Sequence, residues 1–502
     1  MRGRDDIIVG IGATGITMAV GLAVVPVYIR ILGVEAYGLV GFLALLQGSL
    51  QLLDMGLSPT VSREVARAGT TGHYAAAIPL FRTLARLYLG VGLVIGIALA
   101  VAAPLVASRW LHPDALDIGV VTTSIAIMGL ILACRWPVGI YSGALIGAHQ
   151  VRTVSLITLA FAIVSQIGGA IVIAIVPRIE ILFVWQAIAA FIQLLVFRTM
   201  TWRRLGSEAR GSFELRTLST IWRFSVGMSI LTVLAVTLSQ LDRAIVSKLV
   251  SLQAFGLYAL ASVMGRALYG LINPVYNVVY PRFTAMLERG EDDRLAERYG
   301  EWTSLFCSFF FPASMAIIIA AEPIVRLWTG DAVIAREVAP LIGLIAAGSA
   351  LHGAMYFPFA AQVASGDART PVIINLMLVA LYVPLLLVFV SMKGIFGAAL
   401  AWCVLFALYV PLGTWITHRR ILRSIALRWL FGDVGIAFAI SLAIAAVTIP
   451  LLWLTPMHDV TRILVAGASA AAATGVCFAA TALRYVAARE QAASLLRRLS
   501  FS

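Results

Sequence analysis

An all-α integral membrane fold is what this sequence predicts, and three observations predict it. Apolar runs of about 20 residues, long enough to cross the hydrocarbon core as a helix, recur along the whole chain. Of the 502 residues, 61% are hydrophobic and 12% charged, half the roughly 25% charge of a soluble domain. Finally, a short motif recurs 218 positions downstream in the same setting, after one apolar run and before the next, the mark of a chain built from two related halves.

The runs lie near residues 7–29, 39–57, 84–107, 118–141, 153–176 and 181–200, then, after a polar stretch from Thr201 to Thr220, near 221–241, 255–280, 304–321, 338–361, 372–391, 396–417, 431–454 and 462–485. They predict about 14 transmembrane helices. Grouped in order, they give an N-terminal six-helix lobe (1–205), a C-terminal six-helix lobe (206–428), and two extra helices with a cytoplasmic tail (429–502). The first run is long and no A-x-A site follows it, so it reads as a retained helix rather than a signal peptide.

The net charge of +13 would suggest nucleic acid in a soluble protein, but the arginines sit between apolar runs and form no single patch. Threading the runs puts 26 of the 37 basic residues on one side of the membrane and nine on the other, with Arg135 and Arg266 left inside runs. Basic loops stay in the cytoplasm, so both termini are placed there, and the charge reports orientation rather than a nucleic-acid partner. Trp110, Trp202, Trp222, Trp302, Trp328 and Trp429 stand near run ends, as interfacial belts do. Cys134, Cys307, Cys403 and Cys477 each lie in an apolar stretch with no closely spaced Cys or His, and read as small buried hydrophobes, not metal ligands.

The repeat aligns Arg30 to Leu39, RILGVEAYGL, with Lys248 to Leu257, KLVSLQAFGL. Basic matches basic, Glu35 matches Gln253, Tyr37 matches Phe255 and Gly38 matches Gly256. Six runs separate the copies, so both fall on the same face. The halves are then parallel repeats about an axis along the membrane normal, and the expected architecture is two parallel six-helix lobes around a central cavity plus two C-terminal helices.

Polar residues inside apolar runs are the candidate functional groups, because lipid tolerates them poorly. On the second run Gln47, Gln51, Asp54 and Ser58 follow one another at steps of four, three and four, forming one stripe. Asp54 then serves either as an ion-coupling site in the cavity or as a helix-end residue ordering the turn Asp54-Met55-Gly56-Leu57. The seventh run carries Ser225, Ser229, Thr232, Ser239 and Arg243 on one face, with Asp242 beside Arg243 as a mutually neutralising structural pair, a gating or coupling pair, or part of the binding site. The eighth carries Arg266, Tyr269, Asn273, Tyr276, Asn277 and Tyr280 and is interrupted by Pro274, which predicts a kink. These residues either bind sugars or glue helices together. Arg135 and Arg266 lie at depths where an arginine costs roughly 2.5–3.5 kcal/mol to insert. Each is read either as a bidentate grip on a phosphate group or as a side chain that snorkels or pairs with a carboxylate.

The segment Tyr28 to Arg67 resembles the opening signature of the O-antigen and exopolysaccharide flippases, through ILG followed by YG, then Asp54-x-Gly56-Leu57, then Arg63-Glu64. Gln240-Leu241-Asp242-Arg243, Phe255-Gly256-Leu257-Tyr258 and Lys393-Gly394-Ile395-Phe396-Gly397-Ala398-Ala399 resemble the same family, and the likeness runs to about Leu412. That family sits in the multidrug/oligosaccharidyl-lipid/polysaccharide exporter superfamily. The resemblance implies export of an undecaprenyl-pyrophosphate-linked glycan to the periplasmic face by alternating access, driven by a proton or sodium gradient with no bound cofactor, and with a polysaccharide polymerase and glycosyltransferases as partners alongside membrane lipids. Cavity residues would be Gln47, Gln51, Arg135, Arg266, Tyr269, Asn273 and Asn277, with Asp54, Asp242 and Arg243 in coupling or gating.

Peptidoglycan-precursor flippases share the superfamily, and so do organic-cation antiporters, although an antiporter's cavity is expected to hold carboxylates where this chain places arginine. A membrane-embedded glycan polymerase or ligase would need a large outer loop for its catalytic groups, and the loops predicted here are short. The sequence contains no G-x-x-x-x-G-K-[ST], H-E-x-x-H or G-x-S-x-G, so it carries no signature of an ATPase, metalloprotease or hydrolase. The chain therefore reads as a transporter and not an enzyme.

Overall fold

In the computed structural model of the chain, the described backbone covers residues 2–54, 56–70, 74–206, 215–423 and 425–485, and the side chains of residues 2–8, 11, 215–230 and 453 lie outside the description. Among the described residues all regular structure is helical. The first half contains α1 (Arg2–Asp54), α2 (Leu57–Gly69), α3 (Ile78–Arg109), α4 (Ile118–Gly147), α5 (Val151–Ile175), α6 (Ile179–Leu205) and α7 (Leu215–Leu249). The second contains α8 (Leu252–Gly265), α9 (Ile272–Glu288), α10 (Asp292–Thr329), α11 (Ala332–Ala354), α12 (Tyr356–Ala364), α13 (Arg369–Arg420), α14 (Gly435–Leu454) and α15 (Asp459–Arg484).

Among the described residues, 11 segments are long and apolar enough to cross a membrane. Two of them are each a pair of helices joined at one glycine, Gly33 in α1 (φ 84°, ψ 167°) and Gly394 in α13 (φ 56°, ψ −134°). A positive φ is nearly free for glycine and costly for any residue with a Cβ. Counting each pair as two crossings and adding α7 recovers the fourteen helices read from the apolar runs. The chain packs as two compact units, Met1–Gly256 and Leu257–Ser502.

In the first unit α4 packs against α3, α6 and α2, and α1 packs against α5 and α7. The two copies of the repeated motif meet: a Cβ on Gly38 would stand 2.5 Å from the Leu252 carbonyl oxygen, and one on Gly256 would collide with that of Val34. Both copies keep glycine because backbone touches backbone there. The first unit runs to Gly256 and so takes in α7, which packs on α1. Glu35 of the motif is buried and accepts from the backbone amides of Asp114 (2.6 Å), Ala115 (2.9 Å) and Leu116 (3.2 Å), so one carboxylate orders the loop between α3 and α4.

In the second unit α10 packs against α11, α14 and α15. Buried Asp433, in a π-helical turn at Arg428–Val434, accepts from Ser304 Oγ (3.1 Å) and Tyr485 OH (2.7 Å) and pairs with Arg484 (3.1 Å). Arg326 of α10 pairs with Glu322 and, at 3.4 Å, with Asp459 of α15. The two C-terminal helices are thus fastened to α10 by polar contacts as well as by packing. Before α13, partial burial pushes the Asp367 carboxyl up, but hydrogen bonds from Thr370 and the Arg369 amide, together with the Arg420 charge, outweigh it and hold the group below its ordinary value.

The kink expected at Pro274 falls instead just ahead of it. α8 ends at Gly265, a 3₁₀ turn occupies Ala267–Leu271, and Pro274 is the third residue of α9. In a first helical turn a missing N–H forfeits no hydrogen bond, so the proline starts a helix rather than bending one.

Candidate substrate and coupling site

The first unit holds a cavity of about 700 Å³. Gln47, Gln51 and Asp54 of α1 line it, with Ser58 and Ser62 of α2, Arg135, Trp136, Gly139 and Gly143 of α4, and Thr232 of α7. The polar stripe read from the sequence thus faces an open space, and the intramembrane Arg135 opens onto the same space.

Asp54 stands both at the helix end and on the cavity wall. It is the last residue of α1, Gly56 follows in the left-handed region (φ 74°), and α2 begins at Leu57. Across this break Ser58 Oγ donates to Asp54 Oδ1 at 2.5 Å, and Tyr88 OH of α3 donates to the same oxygen at 2.6 Å. The Tyr88 ring stacks on Trp136, with centroids 4.3 Å apart and planes 6° from parallel. Asp54 therefore orders the turn and lines the cavity at once. α2 is held against α4 by a row of glycines one turn apart: a Cβ on Gly143 would stand 2.7 Å from the Ser58 carbonyl oxygen, and one on Gly147 would collide with that of Ser62.

Arg135 is underused by its surroundings. Its Nη2 donates to Ser165 Oγ of α5 at 3.2 Å, and its buried Nε has no hydrogen-bond partner among the described atoms. No ion pair joins it to Asp54 or to another described carboxylate. Gln47 Nε2 is likewise buried without a partner among the described atoms. Side chains that line a cavity and keep donors without a partner are suited to an anionic or hydroxyl-rich guest.

The other candidates lie elsewhere. Asp242 is fully buried in α7, with Arg243 half-buried beside it. Ser239 donates to the Val236 carbonyl at 2.8 Å and so serves its own helix, while the side chains of Ser225 and Ser229 fall outside the described residues. In the second unit the Arg266 guanidinium sits 3.9 Å from the Trp402 ring centroid, and Tyr269 OH meets His352 Nδ1 at 2.7 Å. Asn273 and Asn277 are exposed on α9. Sequence reasoning missed Tyr88, Trp136 and Ser165, which reach the site from other helices and carry no local signal. The four cysteines are all free, and three of them are buried.

Helices of this length and apolarity define a multi-pass membrane protein, and its first half holds a cavity with charged and amide side chains in the wall. The chain is similar in fold to the structure titled "Lipid II flippase MurJ, inward closed conformation", at 14% identity and a TM-score of 0.65, covering 94% of this chain and 99% of that one. It is also similar to an inward-facing multidrug resistance MATE family transporter of the MOP superfamily (15%, TM-score 0.66, 81% and 95% covered) and to the MATE multidrug transporter DinF-BH (13%, 0.59, 85% and 96%). No curated protein matches by sequence. The family of polysaccharide biosynthesis proteins matches residues 27–333, and the chain belongs to that family.

Proposed function

We propose that the chain is a flippase that carries an undecaprenyl-pyrophosphate-linked oligosaccharide from the cytoplasmic to the outer face by alternating access, driven by an ion gradient. The observation that carries this reading is Arg135, a cation opening onto a cavity of about 700 Å³ with one hydroxyl as its hydrogen-bond partner. A guanidinium can grip a pyrophosphate through two parallel N–H···O bonds, which lysine cannot do. Gln47 and Gln51 supply further donors beside it, and Asp54, held at the α1–α2 break, is the coupling or gating carboxylate. Membership of a polysaccharide biosynthesis family supports a glycan as cargo, and fold similarity to a lipid II flippase supports a lipid-linked one. A peptidoglycan precursor, which shares the pyrophosphate, is the second reading, favoured by that similarity alone.

The test is flipping of a fluorescent undecaprenyl-pyrophosphate oligosaccharide in proteoliposomes, with a lipid II arm and an organic-cation arm. Arg135→Ala should slow flipping by about tenfold or more, the equivalent of one charge-assisted hydrogen bond, and Arg135→Lys by less. Equal rates for wild type and Arg135→Ala would overturn the arginine's role. Lipid II as the preferred cargo would select the second reading, and export of the cation alone would replace both with an antiporter.

A further inference from the structure

The 218-residue repeat identifies, for each residue on the α1–α2 side of the cavity in the first unit, a counterpart in the second. Gln51, Asp54, Ser58 and Ser62 correspond to Tyr269, Ile272, Tyr276 and Tyr280, and Tyr88 corresponds to Phe306. The geometry follows the alignment with a shift of register: the second unit's helix break, the 3₁₀ turn at Ala267–Leu271, comes just before the equivalent of Asp54, and Phe306 packs edge-on at 5.5 Å against Phe357, which lies just past the equivalent of Trp136. Trp136 and Phe357 are each followed by proline. The equivalent hollow in the second unit, lined by Ile272, Tyr276, Phe306, Tyr356 and Phe357, has shrunk to about 10 Å³. One half carries a charged, open site, and the other has filled the same place with rings.

Those rings also form a surface. On α9, Asn273, Tyr276, Asn277 and Tyr280 follow at helical spacing on one face. The rings of Tyr276 and Tyr280 lie parallel within 6°, with centroids 5.6 Å apart, and Phe359 of α12 flanks Tyr276 at 5.7 Å. The rings are half-exposed and both Asn residues exposed, and no charged residue occurs between Ala267 and Pro281. This face lies within the segment Leu252–Glu288, long and apolar enough to cross the membrane. Exposed amides at that depth are costly against hydrocarbon, so the face is built for a polar, uncharged guest. Flat rings beside amides suit a pyranose, whose C–H face lies on an aromatic plane while its rim hydroxyls hydrogen-bond to the amides.

We propose that Tyr276, Tyr280 and Phe359, with Asn273 and Asn277, form a carbohydrate-stacking subsite that holds a sugar ring of the cargo. The proposal rests on the flippase reading and assigns this face of α9 to the glycan.

The experiment measures binding to the purified full-length protein in nanodiscs. The probes are the lipid-linked oligosaccharide pool extracted from the producing cells, bare undecaprenyl pyrophosphate, and the free glycan released from the pool by mild acid. Tyr276→Ala/Tyr280→Ala should weaken binding of the glycosylated lipid about tenfold and leave the bare lipid within about twofold. Tyr276→Phe/Tyr280→Phe should retain binding because the ring faces persist. Should the alanine pair fail to fold, Asn273→Ala/Asn277→Ala, which removes only exposed amides, should show the same selective loss. Equal weakening for both lipids, or none for either, overturns the subsite. If wild type binds neither lipid, the flippase reading falls, and the subsite then stands or falls on whether the free glycan binds in a tyrosine-dependent way.

Discussion

At the scale of the residue, the wall of the first unit's cavity includes a carboxyl oxygen with two donors. Asp54 Oδ1 receives Ser58 at 2.5 Å and Tyr88 at 2.6 Å. Tyr88→Phe removes one donor and preserves the stack on Trp136, so it isolates the hydrogen bond. Because a hydrogen bond to a charged group contributes about 1.5–3 kcal/mol, the variant should be destabilised by roughly that amount, read from denaturant unfolding in detergent. A change well below about 0.5 kcal/mol would mean that solvent in the cavity replaces the hydroxyl. The sequence exposed Asp54 and Ser58 through their four-residue spacing, since both stand on one continuous stretch. Tyr88 could not be found that way, because nothing in a single helix records which neighbour will face it.

At the scale of the element, α2 has the least expected position. The apolar run 39–57 suggests one helix ending near the cytoplasm, whereas the chain breaks at Gly56 and begins a second, amphipathic helix that lies on the glycine row of α4. Helices in lipid approach closely where small residues allow it. Gly147→Ala would drive a methyl into the Ser62 carbonyl oxygen and should cost about 1–3 kcal/mol through overpacking. Gly90→Ala on α3, where nothing lies within 4 Å, should be neutral or stabilising by about 0.5–1 kcal/mol. Thermal unfolding of both variants side by side checks the pair, and equal effects would dismiss the glycine row. α9 makes the same point in reverse: Pro274 is visible in the sequence as an interruption, but only the ladder of backbone hydrogen bonds decides that the proline begins the new helix.

At the scale of the whole molecule, the distribution of arginines predicts that both termini lie in the cytoplasm, with the α3–α4 loop outside and the α4–α5 loop inside. Ala115 is an exposed position in the first loop, and Val151 is an exposed position at the start of α5, where the second loop ends. In intact cells a membrane-impermeant maleimide should label Ala115→Cys and should reach Val151→Cys only after the membrane is opened. The reverse pattern would invert the topology. Three of the four native cysteines are buried, which keeps background labelling low.

The sequence alone determined the solvent, the all-helical membrane fold and the family. Each of these is written in periodicity, composition or local motif, and the hydrocarbon core enforces them on any chain that enters it. It also marked Arg135, since a charge inside an apolar run stands out without any knowledge of its neighbours. Tertiary structure decided the rest. Arg135 opens onto the cavity with Asp54, while Arg266 stacks on Trp402, although the two looked alike in the sequence. The repeated halves also differ in content, one open and charged and the other filled with rings. That difference depends on which side chains from separate helices meet in one place, and packing across helices, not order along the chain, sets it.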